Sequence, residues 1–332
     1  MDCTEQTCPA SESIYGYRPS VPANAFFVAF FGTAAIIQTA QGFRYGKWTY
    51  CLTMVCGCIT ECIGHAGRIM LHDDPFGEAG FNLQICTLTL APAFLAAAVY
   101  LMLKHLVLAT SPALSYFPAR YYTYIFITCD FISLVLQAGG GATAATVSSS
   151  GALDLSQLAN GEHIMMAGLS FQVCTLLVFA ALALSHLVRV RRAGPGALEP
   201  ATAAVRASAP FRLFVAALAL AFAAILARCV YRVAEMAGGW KSPIMQNEAS
   251  FVVLDSALCS LATLALTAVH PGACFNYRVV NREELLLERE RRRNKKEKKT
   301  EKCGSGDGGV PTTTKALSGD GSSSSDAELG KA

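Results

Sequence analysis

Seven long apolar stretches recur along this 332-residue chain, and they constrain its fold more than any other feature. Each is long enough to cross a bilayer core of about 30 Å as a helix that rises about 1.5 Å per residue. In lipid, only helices or closed barrels satisfy their backbone, and these runs lack the alternation of barrel strands. The sequence therefore predicts an all-α, seven-transmembrane helix bundle. The predicted spans cover about 23–42, 48–71, 83–108, 121–147, 163–188, 211–236 and 249–270.

Charged residues are scarce and unevenly placed. Only 15% of the chain is charged while 53% is apolar, whereas a typical soluble domain has about 25% charged residues. With the N-terminus outside, nine Lys and Arg residues lie on the inner side ahead of the tail and two lie on the outer side. The tail adds 13 more inside. The positive-inside rule therefore predicts an outside N-terminus and a cytoplasmic C-terminus.

The chain is predicted to divide into four regions. Residues 1–22 form a short extracellular N-terminus, 23–270 the membrane domain, 271–302 a basic juxtamembrane segment and 303–332 a disordered cytoplasmic tail. Two interpretations of the Arg/Lys run in the basic segment stay open. The run is either a surface that binds anionic lipid headgroups or only an anchor that fixes the membrane topology. Nucleic-acid binding is not expected, because the run is tethered at the membrane.

Charged side chains within apolar helices mark the candidate site, since each costs roughly 2.5 to 3.5 kcal/mol at the centre of a span. Residues spaced three or four apart share one helical face. The second and sixth predicted spans each carry such a polar stripe, and both stripes fall in the outer half of the bundle. The stripes are Glu61, His65 and Arg68, and Arg228, Arg232 and Glu235.

Two further spans carry buried polar candidates. Asp130 lies near the predicted midplane of the fourth span, with Gln137 two turns above it, and Glu248 and Asp255 open the seventh span. Gly139–Gly141 is either a loosened helix that borders a cavity or a close helix contact. Asp130 is the candidate proton carrier.

Opposite charges at similar depth on several helices predict one polar cavity that opens outward. The alternative is a set of ion pairs that only fix the helix register. The predicted pairs are Glu61 with Arg228 or Arg232, and Arg68 with Asp255 or Glu235.

Several short motifs occur in a fixed order between residues 15 and 278. They are Tyr15–Ser20 (YGYRPS), Glu61–Arg68 (ECIGHAGR), Leu90–His105 (LAPAFLAAAVYLMLKH), Asp130–Ala142 (DFISLVLQAGGGA), Gly161–Gln172 (GEHIMMAGLSFQ), Arg228–Gly239 (RCVYRVAEMAGG), Glu248–Asp255 (EASFVVLD) and His270–Gly272 (HPG). In this order they resemble the fungal RTA-like family, named for resistance to aminocholesterol.

The resemblance implies a seven-span plasma-membrane protein grouped with lipid-translocating exporters. Members are associated with release of sphingoid long-chain bases and with resistance to amphipathic toxicants, and one branch with porphyrin transport. His65 and Phe251 stand where many members have Tyr, so substrate preference does not carry over. By position, the implied substrate-binding residues are Glu61, Arg68, Asp130, Gln137, Gln172, Arg228, Arg232, Glu235, Glu248 and Asp255.

Several function classes are disfavoured. No G-x-x-x-x-G-K-[ST] phosphate loop occurs, so we do not expect ATP-driven pumping by this chain alone. The six histidines are scattered over both predicted sides, which disfavours a zinc hydrolase. Nine of the 13 cysteines lie in predicted spans, where cysteine acts as a small apolar residue. The sequence therefore predicts no enzyme activity, no metal and no cofactor.

Two function hypotheses remain. The first is an exporter or translocator of amphipathic lipids such as sphingoid long-chain bases or lipophilic toxicants, working through the polar cavity. The second is a seven-helix lipid sensor that regulates lipid asymmetry or drug resistance. Both have membrane lipids and an amphipathic small molecule as partners, and both leave the oligomeric state open. The plasma membrane is the predicted location, with the vacuolar and endoplasmic reticulum membranes as alternatives.

Overall fold

The computed structural model is helical wherever it has regular secondary structure, and no strand occurs in the ranges it describes. These are residues 9, 13, 15–111, 114–116, 118–149, 155–194, 202–239, 242–274 and 293. The chain divides into two units, of which the first spans residues 1–284. The predicted disordered tail, and the basic segment beyond residue 274 apart from Arg293, lie outside the described residues.

Long helices account for most of the first unit. They are α1 Val21–Tyr45, α2 Trp48–Asp73, α3 Glu78–Thr110, α4 Ala119–Ser149, α5 Leu155–Ala193 and α7 Ala209–Ala237. The short α6 Ala203–Ala207 precedes α7, and α10 Pro271–Cys274 ends the described chain apart from Arg293. The final long segment is α8 Glu248–Phe251, a π-helical turn Val252–Ala257, and α9 Leu258–Ala268.

Six helical segments of the described part of the chain are long and apolar enough to cross a membrane, so the chain is a multi-pass membrane protein. They are α1, α3, most of α4 and α5, α7, and the α8–α9 segment. Helix α2 has comparable length but carries Glu61, His65 and Arg68, which lower its mean hydropathy. The predicted count of seven spans and the orientation of the termini stay predictions.

Consecutive long helices pack side by side, and α9 returns to contact both α7 and α1. Helix α3 contacts α2, α4, α5 and α7, and most of its Ala91–Leu103 stretch is buried. Glycines allow the closest approaches. A Cβ on Gly64 of α2 would lie 2.5 Å from the Leu88 side chain of α3, and one on Gly67 would lie 2.9 Å from the Gln84 backbone nitrogen.

The middle one of the three consecutive glycines of α4 forms a close helix contact, one of the two interpretations that the sequence left open. Helix α4 continues through them. A Cβ on Gly140 would lie 2.5 Å from the Gly161 carbonyl oxygen of α5, whereas Cβ atoms on Gly139 and Gly141 would meet nothing within 4 Å. The middle glycine therefore sets the α4–α5 spacing.

Gly140→Ala is expected to lower the thermal unfolding temperature of the purified protein, because the added methyl group overlaps the α5 backbone and overpacking costs about 1–3 kcal/mol. Gly139→Ala is the matched control, and it should leave that temperature unchanged or raise it, since alanine is the better helix former by roughly 0.5–1 kcal/mol. Equal losses in both variants would contradict this packing.

Candidate functional site

Charged side chains from three helical segments meet at one place, which we call the charged cluster. Helix α2 contributes two of them, α7 three, and the α8–π segment two. All but one are at most 4% exposed, and the exception, Glu248, has a side chain that is 28% exposed. The charged cluster consists of Glu61, Arg68, Arg228, Arg232, Glu235, Glu248 and Asp255.

Arg228 joins three helical segments. Its Nε lies 3.1 Å from Oδ1 of Asp255 in the π-helical turn, and its Nη2 donates to the Leu88 carbonyl oxygen of α3. In a regular helix the nitrogen four residues later would donate to that carbonyl, but here that residue is Pro92, which has no N–H. The guanidinium thus replaces a backbone donor that α3 lacks.

The other arginines have different partners. Arg232 donates through Nη1 to Oε2 of Glu235, one turn further along α7. The Nη2 of Arg68 lies 4.0 Å from Oε1 of Glu248, and its guanidinium carbon lies 3.9 Å from the centre of the Phe251 ring. Phe251, one of the two departures from the family pattern, therefore provides a cation–π surface.

Glu61 has no arginine within ion-pair distance in the described part of the chain. Its Oε2 lies 3.7 Å from His65 Nε2, and neither oxygen accepts a hydrogen bond from a described nitrogen or oxygen donor. His65 Nδ1 lies 2.9 Å from Asn24 Oδ1, and its ring stacks on Phe27 with centroids 4.9 Å apart. The ion pairs predicted from the sequence thus differ from those in the structure, because the side chains meet at depths that helical spacing alone does not fix.

The π-helical turn was not predicted from the sequence. It spans Val252–Ala257 and carries Asp255 into the charged cluster. A π-turn widens the helix by one residue and is frequent at functional sites. No proline or glycine lies within these six residues, so the sequence contains no backbone signal for it.

The segment ahead of α1 covers the charged cluster, a role that its YGYRPS motif did not by itself indicate. Tyr17 accepts a hydrogen bond of 2.8 Å from Arg68, and the Ser20 backbone nitrogen donates to Glu248 over 2.6 Å. Tyr15 accepts from Gln84 over 2.7 Å. Burial raises the pKa of both tyrosines above the ordinary value of 10.0. In this structure the cluster is covered, and the outward opening stays a prediction.

The remaining predicted site residues lie apart from the charged cluster. Asp130 of α4 is buried beside the Tyr100 side chain of α3, and no described arginine is within ion-pair distance of it. Gln137 of α4 donates to Gln172 of α5 over 3.2 Å. The ten predicted residues thus form three groups: the charged cluster, the isolated Asp130 and the glutamine pair.

Asp255→Asn is expected to destabilise the protein by about 3–5 kcal/mol, because it leaves the Arg228 guanidinium buried without its counter-charge. The double variant Arg228→Gln/Asp255→Asn should recover part of the loss, since no charge is then left unpaired and glutamine retains a donor for the Leu88 carbonyl. Thermal unfolding in detergent measures the stability of the single and the double variant. A double variant whose loss equals the sum of the single losses would contradict the pairing.

Comparison with known proteins places the chain in a family. The sphingoid long-chain base transporter RSB1 of Saccharomyces cerevisiae is 28% identical over 295 residues, covering 81% of this chain and 76% of that protein. Protein RTA1 and protoporphyrin uptake protein 1 of the same yeast are 27% and 26% identical, over 66% and 64% of this chain and 65% of each relative. No solved structure matches significantly. The family model described as RTA1 like protein matches residues 54–278, and the chain therefore belongs to the RTA1-like family.

Proposed function

We propose that this protein is an exporter or translocator of amphipathic lipids, such as sphingoid long-chain bases or lipophilic toxicants, in the plasma membrane. The observation that carries the proposal is a cluster of seven charged side chains, six of them buried, inside a multi-pass membrane protein. Charges within a membrane are costly and typically line substrate or ion pathways. The names of the yeast relatives, a sphingoid long-chain base transporter and a protoporphyrin uptake protein, support a transporter over an enzyme.

We include α2 as the seventh span, with the N-terminus outside. Its 26 residues correspond to about 39 Å of helix. Its charged stripe faces the bundle, whereas Leu52, Ile59 and Met70 on its other side are 63%, 46% and 47% exposed. An apolar outer face with an enclosed polar stripe is what a membrane-embedded helix beside a polar site requires. An odd number of spans then places the termini on opposite sides, in accord with the distribution of Lys and Arg.

The charge balance of the cluster favours a cationic headgroup. Three arginines face four carboxylates, so the fully ionised cluster has one negative charge in excess. The excess negative charge matches the amine of a sphingoid base. Glu61 is its best partner, since the other three carboxylates each have an arginine within 4.0 Å. The acyl chain would lie between helices, in contact with the apolar side chains of the bundle.

Opening of the cluster would require the segment ahead of α1 to move. Tyr17 and Ser20 hold Arg68 and Glu248 by hydrogen bonds, so displacement of this segment would uncover both charges together. We therefore assign the structure to a state in which the site is closed toward the outside, and the outward-opening cavity to a second state of the same bundle.

Asp130 is the proposed proton carrier. It is 4% exposed and has no arginine partner in the described ranges, so a proton can neutralise it without breaking an ion pair. In this scheme, substrate binds in the charged cluster while Asp130 couples its movement to protons across the membrane.

The alternative function is a lipid sensor. The closed cluster favours it, because a sensor needs to bind lipid without a continuous path across the membrane. In either case membrane lipids are the partners, and the basic segment after the last helix would bind anionic headgroups.

Efflux of a labelled sphingoid base from proteoliposomes that contain only this protein tests the proposal. We expect efflux from the unaltered protein and at least a tenfold loss in Glu61→Gln, which removes the carboxylate without breaking an arginine pair; Arg232→Gln should also lose efflux. Glu78→Gln, an exposed glutamate at the start of α3, is the matched control. Binding of the base without efflux would refute the translocator and favour the sensor.

Asp130→Asn is expected to abolish the dependence of efflux on an imposed pH gradient, because asparagine cannot exchange a proton. Binding of the base should remain. Asp73→Asn, exposed at the end of α2, is the control and should keep the dependence. An Asp130→Asn protein that still responds to the gradient would exclude Asp130 as the proton carrier.

A further inference from the structure

A cavity lies between α3, α5 and α7, and the charged cluster contributes none of its lining. Its volume is about 570 Å³, within the range of about 300–1,000 Å³ typical of ligand pockets. Most of its wall is apolar and includes Leu103, Leu106, Phe179 and Phe222. We call it the α5–α7 groove.

Polar and charged side chains lie at one end of the groove. Thr110 ends α3, His186 lies in the last two turns of α5, and Arg212 lies in the first turn of α7. Arg206 of α6 also lines this end and donates to the Ala109 carbonyl oxygen over 3.0 Å, which fixes its guanidinium there. No acidic side chain is among the described residues of the lining. The groove is thus apolar along its length and cationic where the helices end.

The length of the groove matches one leaflet. Its α3 wall runs from Val99 to Thr110, which corresponds to about 17 Å of helix, and one half of a bilayer core is about 15 Å thick. Leu184 and Leu187, which also line the groove, are 62% and 38% exposed. The groove therefore opens sideways, onto the surface that a bilayer would cover.

We propose that the α5–α7 groove binds an acyl chain of one anionic glycerophospholipid from the surrounding leaflet, with the lipid phosphate against Arg206 and Arg212. Basic pockets between membrane helices bind anionic headgroups in this way, above all on the cytoplasmic side. In the proposed orientation, the ends of α3 and α5 and the start of α7 lie on that side. A cationic sphingoid base would be repelled by the same arginines, so this site is separate from the charged cluster. The inference rests on the membrane placement of the helices and not on transport.

The test measures lipid retained by the purified full-length protein. The protein in neutral detergent is mixed with either dioleoyl phosphatidylglycerol or dioleoyl phosphatidylcholine, and bound lipid is counted by native mass spectrometry beside the thermal unfolding temperature. We expect one phosphatidylglycerol to be retained and to raise the unfolding temperature, because a ligand of the folded state stabilises it. Phosphatidylcholine should neither be retained nor raise the unfolding temperature.

Two variants with matched controls locate the site. Arg212→Gln should weaken phosphatidylglycerol binding about fivefold, as expected for one basic residue near an anionic headgroup. Arg192→Gln, also exposed but outside the lining, should not. Ala219→Phe fills the groove and should abolish retention, whereas Ala216→Phe on an exposed part of α7 outside the lining should preserve it.

Equal retention of the two lipids, equal losses in the two arginine variants, or full retention by Ala219→Phe would each overturn the proposal. Lipid retention is measured without any transport assay. The result for this site therefore stays valid even if the protein fails to move sphingoid base.

Discussion

Arg228 holds the site together, because it contacts both Asp255 and the Leu88 carbonyl oxygen. Pro92 leaves that carbonyl without its helical donor, and in a bilayer no water is available to replace it. Arg228 supplies the donor, and the resulting buried charge then requires Asp255. The missing hydrogen bond in α3 therefore accounts for the charge of Arg228 on α7, and that charge accounts for Asp255 in the π-helical turn before α9.

The ion contacts of Arg68 and Glu61 are longer than those of Arg228 and Arg232. Arg68 is held by a tyrosine hydroxyl, an aromatic face and a partly exposed glutamate at 4.0 Å. Glu61 has only His65 within ion-pair distance among the described residues. Arg228 and Arg232 are therefore held by close ion pairs. The ion contact of Arg68 with Glu248, beneath the segment ahead of α1, is longer, and we propose that the cluster opens to a cationic headgroup at this end.

Much of this architecture follows from the sequence, because helical period and hydropathy are local properties. Spacing of three and four residues placed Glu61 with Arg68, and Arg228 with Glu235, on shared faces, and these faces meet in the structure. Which charges pair was predicted wrongly, since pairing depends on helix depth and on the π-helical turn. The sequence also did not show which of the three glycines of α4 contacts α5, because that depends on the rotation of α4 about its own axis. The cover formed by Tyr15 and Tyr17 has no periodic signal at all.

We propose that the charged cluster recognises the amine of an amphipathic lipid. Equilibrium binding to the purified protein tests this recognition. A radiolabelled sphingoid base is displaced either by the unlabelled base or by its N-acetylated analogue, which has the same chain and no positive charge. We expect displacement by the base and at least tenfold weaker displacement by the neutral analogue, with the difference lost in Glu61→Gln. Equal displacement by the two compounds would contradict it.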